Sequence, residues 1–97
     1  MAFAIEYSEE SLNQLRELRA FERSAILGQI RQVLSTSPMQ TRKARVKRLR
    51  QPAPTEYRLK VGEYRIFYDI VEDIVDIRQI LSKTDSVPYL EPTDDAN

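Results

Sequence analysis

A chain of 97 residues with zero formal net charge and 41% hydrophobic residues fits one domain with a modest core and argues against two. It has neither cysteine nor histidine, which excludes disulfides, thiolate nucleophiles and Ser-His or Cys-His pairs, and disfavours zinc. The start, MAFAIEYSEE, lacks the basic and long apolar regions of a secretory leader, and no apolar run approaches the roughly 20 residues of a membrane span, so the expectation is a soluble, cytoplasmic protein.

Residues Phe3 to Tyr7 alternate apolar and polar positions, which predicts a short half-buried strand. Ser8 then has the character of an N-cap. Glu9 and Glu10 follow in a first turn, where the helix macrodipole favours acids, and Leu12, Leu15 and Leu18 form one stripe of a helix predicted from about Glu9 to Leu18. Ile26, Leu27, Ile30, Val33 and Leu34 mark the apolar face of a second helix, ended by Ser35 to Pro38. A two-helix hairpin with such stripes needs a sheet or a partner to cover them.

Between Ser35 and Thr55, three prolines and a basic run predict irregular or edge structure, with a short strand near Val46 to Leu49. From Tyr57 the period becomes two. Tyr57, Leu59 and Val61 alternate with Arg58 and Lys60. Past a turn at Gly62 and Glu63, Tyr64, Ile66, Tyr68 and Ile70 alternate with Arg65, Phe67 and Asp69. Glu72 and Asp73 make a second turn, and Ile74 to Leu81 a further strand. Pro88 and Pro92 are expected to stop regular structure. The whole reads as an α+β fold: an N-terminal strand and two-helix hairpin packed on an antiparallel β-sheet, with one domain over residues 1–91 and a flexible acidic tail over 92–97.

Zero net charge conceals a strong asymmetry. From Arg42 to Lys60 there are eight bases against the single acid Glu56, a local +7 balanced by −7 elsewhere. Within it Arg42, Lys43, Arg45, Lys47, Arg48 and Arg50 crowd nine residues without an acid. Loop solubility or protection of a sheet edge would also account for them, but so many bases without an acid favour a surface that tracks the phosphates of RNA on the ribosome. Arg58 and Lys60 share one face of their strand. With Arg65 on the same side, three cations converge on a cradle for a phosphodiester, unless the face is simply solvated. Tyr57, Tyr64 and Tyr68 read as core tyrosines, whereas Tyr89, beyond the last strand, is placed to stack on a nucleobase; Lys83 lies near it. Glu72, Asp73 and Asp76 could in principle hold a metal, but the first two are better explained by the turn, and no EF-hand or Walker spacing accompanies them.

The segment TEYRLKVGEYRIFYDIVEDIVDIRQILSK, Thr55 to Lys83, resembles the C-terminal sheet of the RelE/ParE toxin superfamily, whose recurring feature is a Y-R-L-x-x-G-x-Y-R-φ-x-Y hairpin. The β-α-α order and the K-R-L-R stretch before it also match, so the resemblance covers nearly the whole chain. It implies a RelE-like microbial RNase fold and a type II toxin, and the clustered bases favour the branch of ribosome-dependent mRNA endonucleases. In that branch Arg58, Lys60, Arg65, Lys83 and Tyr89 fill the catalytic positions. The implied reaction is attack of a ribose 2′-OH on its 3′-phosphate. Lys60 is the implied general base, with its pKa depressed by Arg58 and Arg65. Arg65 stabilises the phosphorane, Lys83 or Arg58 assists the leaving oxygen, and Tyr89 holds the base. No metal or other cofactor is needed. The implied partners are the ribosome with mRNA in its A site and a cognate antitoxin that folds as it wraps the toxin. Arg58 and Lys83 each stand where a particular RelE has the other type of base, and the absence of histidine makes relatives with a His/Glu pair poor models. The hairpin does not itself separate these nucleases from ParE-like inhibitors of DNA gyrase, for which the same cations would be incidental, or from an inactive toxin-fold binding module.

Overall fold

The computed structural model describes residues 2–40 and 45–90. In chain order it has strand β1 (Ala4–Tyr7), helix α1 (Glu9–Arg16), helix α2 (Ala20–Gln29) widening into a π-helical turn (Ile30–Leu34), strands β2 (Val46–Arg48), β3 (Tyr57–Val61), β4 (Tyr64–Val71) and β5 (Ile74–Ser82), and helix α3 (Lys83–Leu90). The strands form one sheet in the order β1-β5-β4-β3-β2. The expected meander runs from β2 to β5 with every pair antiparallel, and β1 joins the far edge parallel to β5. Its hairpin turns fall where the sequence placed them. Gly62 adopts φ +57°, a region glycine enters without steric cost, and Glu72 adopts φ 58° at the second turn.

The Ser8 hydroxyl caps α1, accepting the Ser11 N–H at 3.0 Å, with Glu9 and Glu10 in the first turn. The helix ends at Arg16, earlier than its leucine stripe suggests. Arg23 reaches back from α2 and donates from Nε to Leu15 O (2.9 Å) and from Nη2 to Leu18 O (2.7 Å), satisfying carbonyls at the end of α1 and setting the bend of the helical hairpin.

Leu15, Ile26, Ile30 and Leu34 from the helices meet Val46, Leu59, Ile66, Tyr68, Val75 and Ile77 from the sheet in one buried cluster. Full burial of each such aliphatic side chain contributes about 1.5–3 kcal/mol. Tyr57 and Tyr68 stack at 5.5 Å, and the buried Tyr68 hydroxyl donates to Pro38 O at 2.6 Å, tying the segment after the π-helical turn to the sheet.

β1 pairs with β5 only as far as Ile77, and α1 takes over the edge beyond. Ser8 N–H donates to Ile77 O (2.9 Å), Ser8 Oγ to Arg78 O (2.8 Å), and Ile80 N–H to Gln14 Oε1 (2.5 Å). Side chains of a helix thus complete hydrogen bonds that a longer β1 would have made.

The expectation that Pro88 stops regular structure is wrong: α3 contains it. Pro88 leaves the Thr84 carbonyl without its helical donor, but it lies in the last turn, where little helix remains to disrupt. Ser82 Oγ caps the start by accepting the Asp85 N–H (3.1 Å), the buried Ser86 hydroxyl donates to Lys83 O (2.7 Å), and the Tyr89 ring packs on Phe67 of the sheet. The tail over 92–97 lies outside the described residues. No described helix is long and apolar enough to cross a membrane.

Candidate functional site

The face of the sheet turned away from the hydrophobic core carries the cations. Residues directly opposite on antiparallel strands share a face, and the register sets Lys60 opposite Arg65, Arg58 opposite Phe67, and Lys47 opposite Arg58. Arg58, Lys60 and Arg65 therefore converge as their period predicted, and Lys47 joins them from β2. Like charges so arranged repel, and the repulsion shows at Arg58. Its half-buried guanidinium has a lowered pKa, first because burial disfavours the charge and then because Arg65 faces it. Among the described residues the one salt bridge is Arg78–Asp76, so no carboxylate neutralises these four cations.

The members differ in their freedom. Arg65 is only 8% exposed, and its Nη1 donates to Gly62 O (3.0 Å) and Tyr64 O (3.1 Å). Its charge is fixed beneath the hairpin turn. Lys60 is exposed, with its backbone N–H donated to Arg45 O at 2.8 Å, so its amine is free to reach a ligand above Arg65. Lys83 begins α3, and its N–H donates to Glu63 O at 2.7 Å, which brings that residue to the same hairpin turn.

Phe67 interrupts the polar positions of β4, and the structure gives the reason. Its ring is buried on the cationic side of the sheet beneath Tyr89, with centroids 4.9 Å apart and planes tilted by 59°. Tyr89 is half-buried. Burial, chiefly, raises its pKa; Arg78 opposes the rise, and Asp69 and Glu10 add to it. The hydroxyl stays protonated at neutral pH, next to the cation cluster. An apolar residue on an otherwise polar strand face was the sequence signal for this cover.

The basic run does not form one continuous surface. Arg42 and Lys43 lie outside the described residues. Lys47 faces Arg58, while Arg48 turns to the other side, its guanidinium 5.8 Å from the centre of the Tyr57 ring. Arg45 lines a cavity of about 190 Å³ with Gln32, Val33, Thr36 and Ser37, and Arg50 is exposed after β2. Strand alternation divides what is contiguous in sequence. No local pattern signals the hydrogen-bonded chain from Ile80 through Gln14 and Gln79 to Glu10, because it depends on a register shift between β4 and β5. Glu72 and Asp73 form their turn, and no metal-binding group of three or more such side chains occurs among the described residues.

Comparisons with known proteins give this face a context. The Mycobacterium tuberculosis RelBE2 toxin–antitoxin complex contains a chain 18% identical to this one, with a TM-score of 0.67 over 84% of this chain and 99% of that one. A doubly substituted E. coli RelE toxin in the free state is 19% identical, with a TM-score of 0.68 and coverage of 89% and 88%. The RelB–RelE antitoxin–toxin complex of Methanococcus jannaschii gives 18% identity and a TM-score of 0.67 over 88% and 98%. These likenesses establish the α+β fold of RelE toxins. No curated protein matches the chain. The family model for the ParE toxin of type II toxin–antitoxin systems matches residues 5–86, and the chain belongs to that family, within the RelE/ParE superfamily.

Proposed function

We propose that this chain is the toxin of a type II toxin–antitoxin pair and acts as a metal-independent, ribosome-dependent mRNA endonuclease. The observation that carries the reading is the set of cations with no carboxylate partner among the described residues, Lys60 opposite Arg65 and beside Arg58, on the face where Tyr89 also lies. Arg65 held buried beneath an exposed lysine, beside an Arg58 whose pKa is lowered chiefly by burial and then by Arg65, supports a site that receives negative charge.

In this reading the ribose 2′-oxygen attacks the adjacent phosphorus and gives its proton to Lys60, the general base. The P–O5′ bond breaks, leaving a 2′,3′-cyclic phosphate. The departing 5′-oxygen takes a proton from Lys83, with Arg58 binding the phosphate. Arg65, already oriented by the turn carbonyls, stabilises the doubly charged phosphorane. Two unit charges 4 Å apart at an effective dielectric of 20 interact by about 4 kcal/mol, so one fixed guanidinium is worth a large rate factor. Tyr89 holds the base by stacking. In-line alignment of 2′-oxygen, phosphorus and 5′-oxygen comes from mRNA held in the ribosomal A site, so free RNA is cut poorly. A cognate antitoxin is the second partner, a reading supported by the antitoxin–toxin complexes of similar fold, and it covers this toxin with a segment that folds on binding.

A second reading follows from the family model itself, which carries the name of ParE. On that reading the chain inhibits DNA gyrase and cuts nothing. Primer extension on an mRNA in a purified translation system, with and without ribosomes, separates the two. Ribosome-dependent cuts within codons that vanish in Lys60→Ala support the nuclease. Intact mRNA at toxic doses, with inhibition of gyrase supercoiling, supports the alternative.

A further inference from the structure

Beside the cations, the same face has a second half with different chemistry. The pairing of β4 with β5 slips at one point: Tyr68 lies opposite Ile77 but Phe67 opposite Gln79, so Arg78 is an extra residue. Bulges of this kind re-aim side chains and occur beside active sites. Strict alternation from the buried Ile77 would put Gln79 in the core and Ile80 outside. The bulge reverses both, setting Ile80 opposite Ile66 in the core and Gln79 on the face of Phe67 and Tyr89.

Gln79 is held there in one orientation. Ile80 N–H donates to Gln14 Oε1 (2.5 Å), Gln14 Nε2 donates to Gln79 Oε1 (2.7 Å), and Gln79 Nε2 donates to Glu10 Oε1 (2.9 Å). The first donor is a backbone amide, which can only donate. That fixes the direction of both side-chain amides and calls for an acceptor at the end. Glu10 is that acceptor, on the solvent side of α1, with capacity for further donors. Its charge is felt by Tyr89, whose ring packs on Phe67, the cross-strand partner of Gln79. Arg78, steadied by Asp76 at 3.2 Å, places a guanidinium in the same neighbourhood.

We infer that Glu10, aimed by the Gln14–Gln79 chain, reads the nucleobase that stacks on Tyr89, and that the base selected is guanine. A carboxylate offers two acceptors side by side. Of the four bases only guanine has two adjacent donors, N1–H and the N2 amine, on its Watson–Crick edge. Adenine and cytosine set a ring acceptor next to their amine, where it meets the negative charge, and uracil has one N–H between two carbonyls. The O6 acceptor of guanine, beyond N1, suits the Arg78 guanidinium. Glu10 is thereby a specificity residue rather than a catalytic one, and the inference rests on the nuclease reading above.

The test is primer extension in the purified translation system on messages that differ only in the A-site nucleotide preceding the cut, set in turn to each of the four bases. Wild type should cut at guanine about tenfold more than at adenine, the discrimination of one bidentate base contact, and Glu10→Gln should bring the ratio to about one. Glu9→Gln, in the same turn but outside the hydrogen-bonded chain, should keep the wild-type ratio. A ratio measured within one protein sample is insensitive to lost stability, so a merely structural role for Glu10 would leave it unchanged. Equal cutting at all four bases by wild type, or a guanine preference that survives in Glu10→Gln, overturns the inference and leaves the nuclease standing. No cutting of any message overturns both.

Discussion

Tyr68→Phe removes one oxygen from the interior and keeps the ring that stacks on Tyr57. That hydroxyl donates to Pro38 O at 2.6 Å, Tyr68 is 0% exposed, and Pro38 is fully buried, so no water replaces the lost donor. Stranding a buried carbonyl costs about 1–3 kcal/mol, and a loss of about 2 kcal/mol lowers the Tm of a domain this small by roughly 10 °C. The same bond gives a pH signature. Burial, with a smaller contribution from Tyr57, raises the Tyr68 pKa well above its ordinary 10.0. Above about pH 10 the unfolded chain ionises this group while the folded chain keeps it protonated, so the unfolded state binds fewer protons and stability falls as pH rises. Tyr7, Tyr64 and Tyr89, whose values are also raised, act alike in both proteins. The difference between wild type and Tyr68→Phe isolates Tyr68 and should shrink above about pH 10. Urea unfolding followed by circular dichroism measures it. A difference below about 0.5 kcal/mol at neutral pH, or one that widens with alkalinity, would refute the reasoning.

Arg23→Met should cost about 2 kcal/mol, because it strips the charge-assisted bonds from the Leu15 and Leu18 carbonyls; the shift of the urea midpoint at constant m reads this directly. Lys60→Ala should reduce ribosome-dependent cleavage roughly 10²–10⁴-fold, the usual contribution of a general base, with Tm little changed since the side chain is exposed. Gly62→Ala meets no atom within 4 Å but forces an L-residue to φ +57°, so about 1–2 kcal/mol of strain should appear as a lower Tm.

Most of the fold was legible because its signals are local. Alternation located β3, β4 and β5, helical spacing located the hairpin stripe, and Gly62 and Glu72 fell at the turns. The convergence of Arg58, Lys60 and Arg65 followed from period two together with a turn of known length. What escaped depended on distant partners. The parallel pairing of β1 needs β5 as its template, and the packing of Tyr89 on Phe67, which ties α3 to the sheet, is a contact that no local pattern encodes. The helical side of the site escaped because Gln14 and Glu10, on an amphipathic helix, look like ordinary solvated residues. Only the bulge at Arg78 brings Gln79 to them.

The hand-over of the β5 edge from β1 to α1 bears on how the chain is made. An unpaired strand edge invites a neighbouring chain to add to it, and the hazard is greatest in molecules still folding. Here the residues that close the edge, Ser8 and Gln14, leave the ribosome well before Ile77 to Ile80 do. The residues that cover this edge are synthesised before the edge itself, so when β5 emerges its cover is already present on the same chain, at a higher local concentration than any other copy.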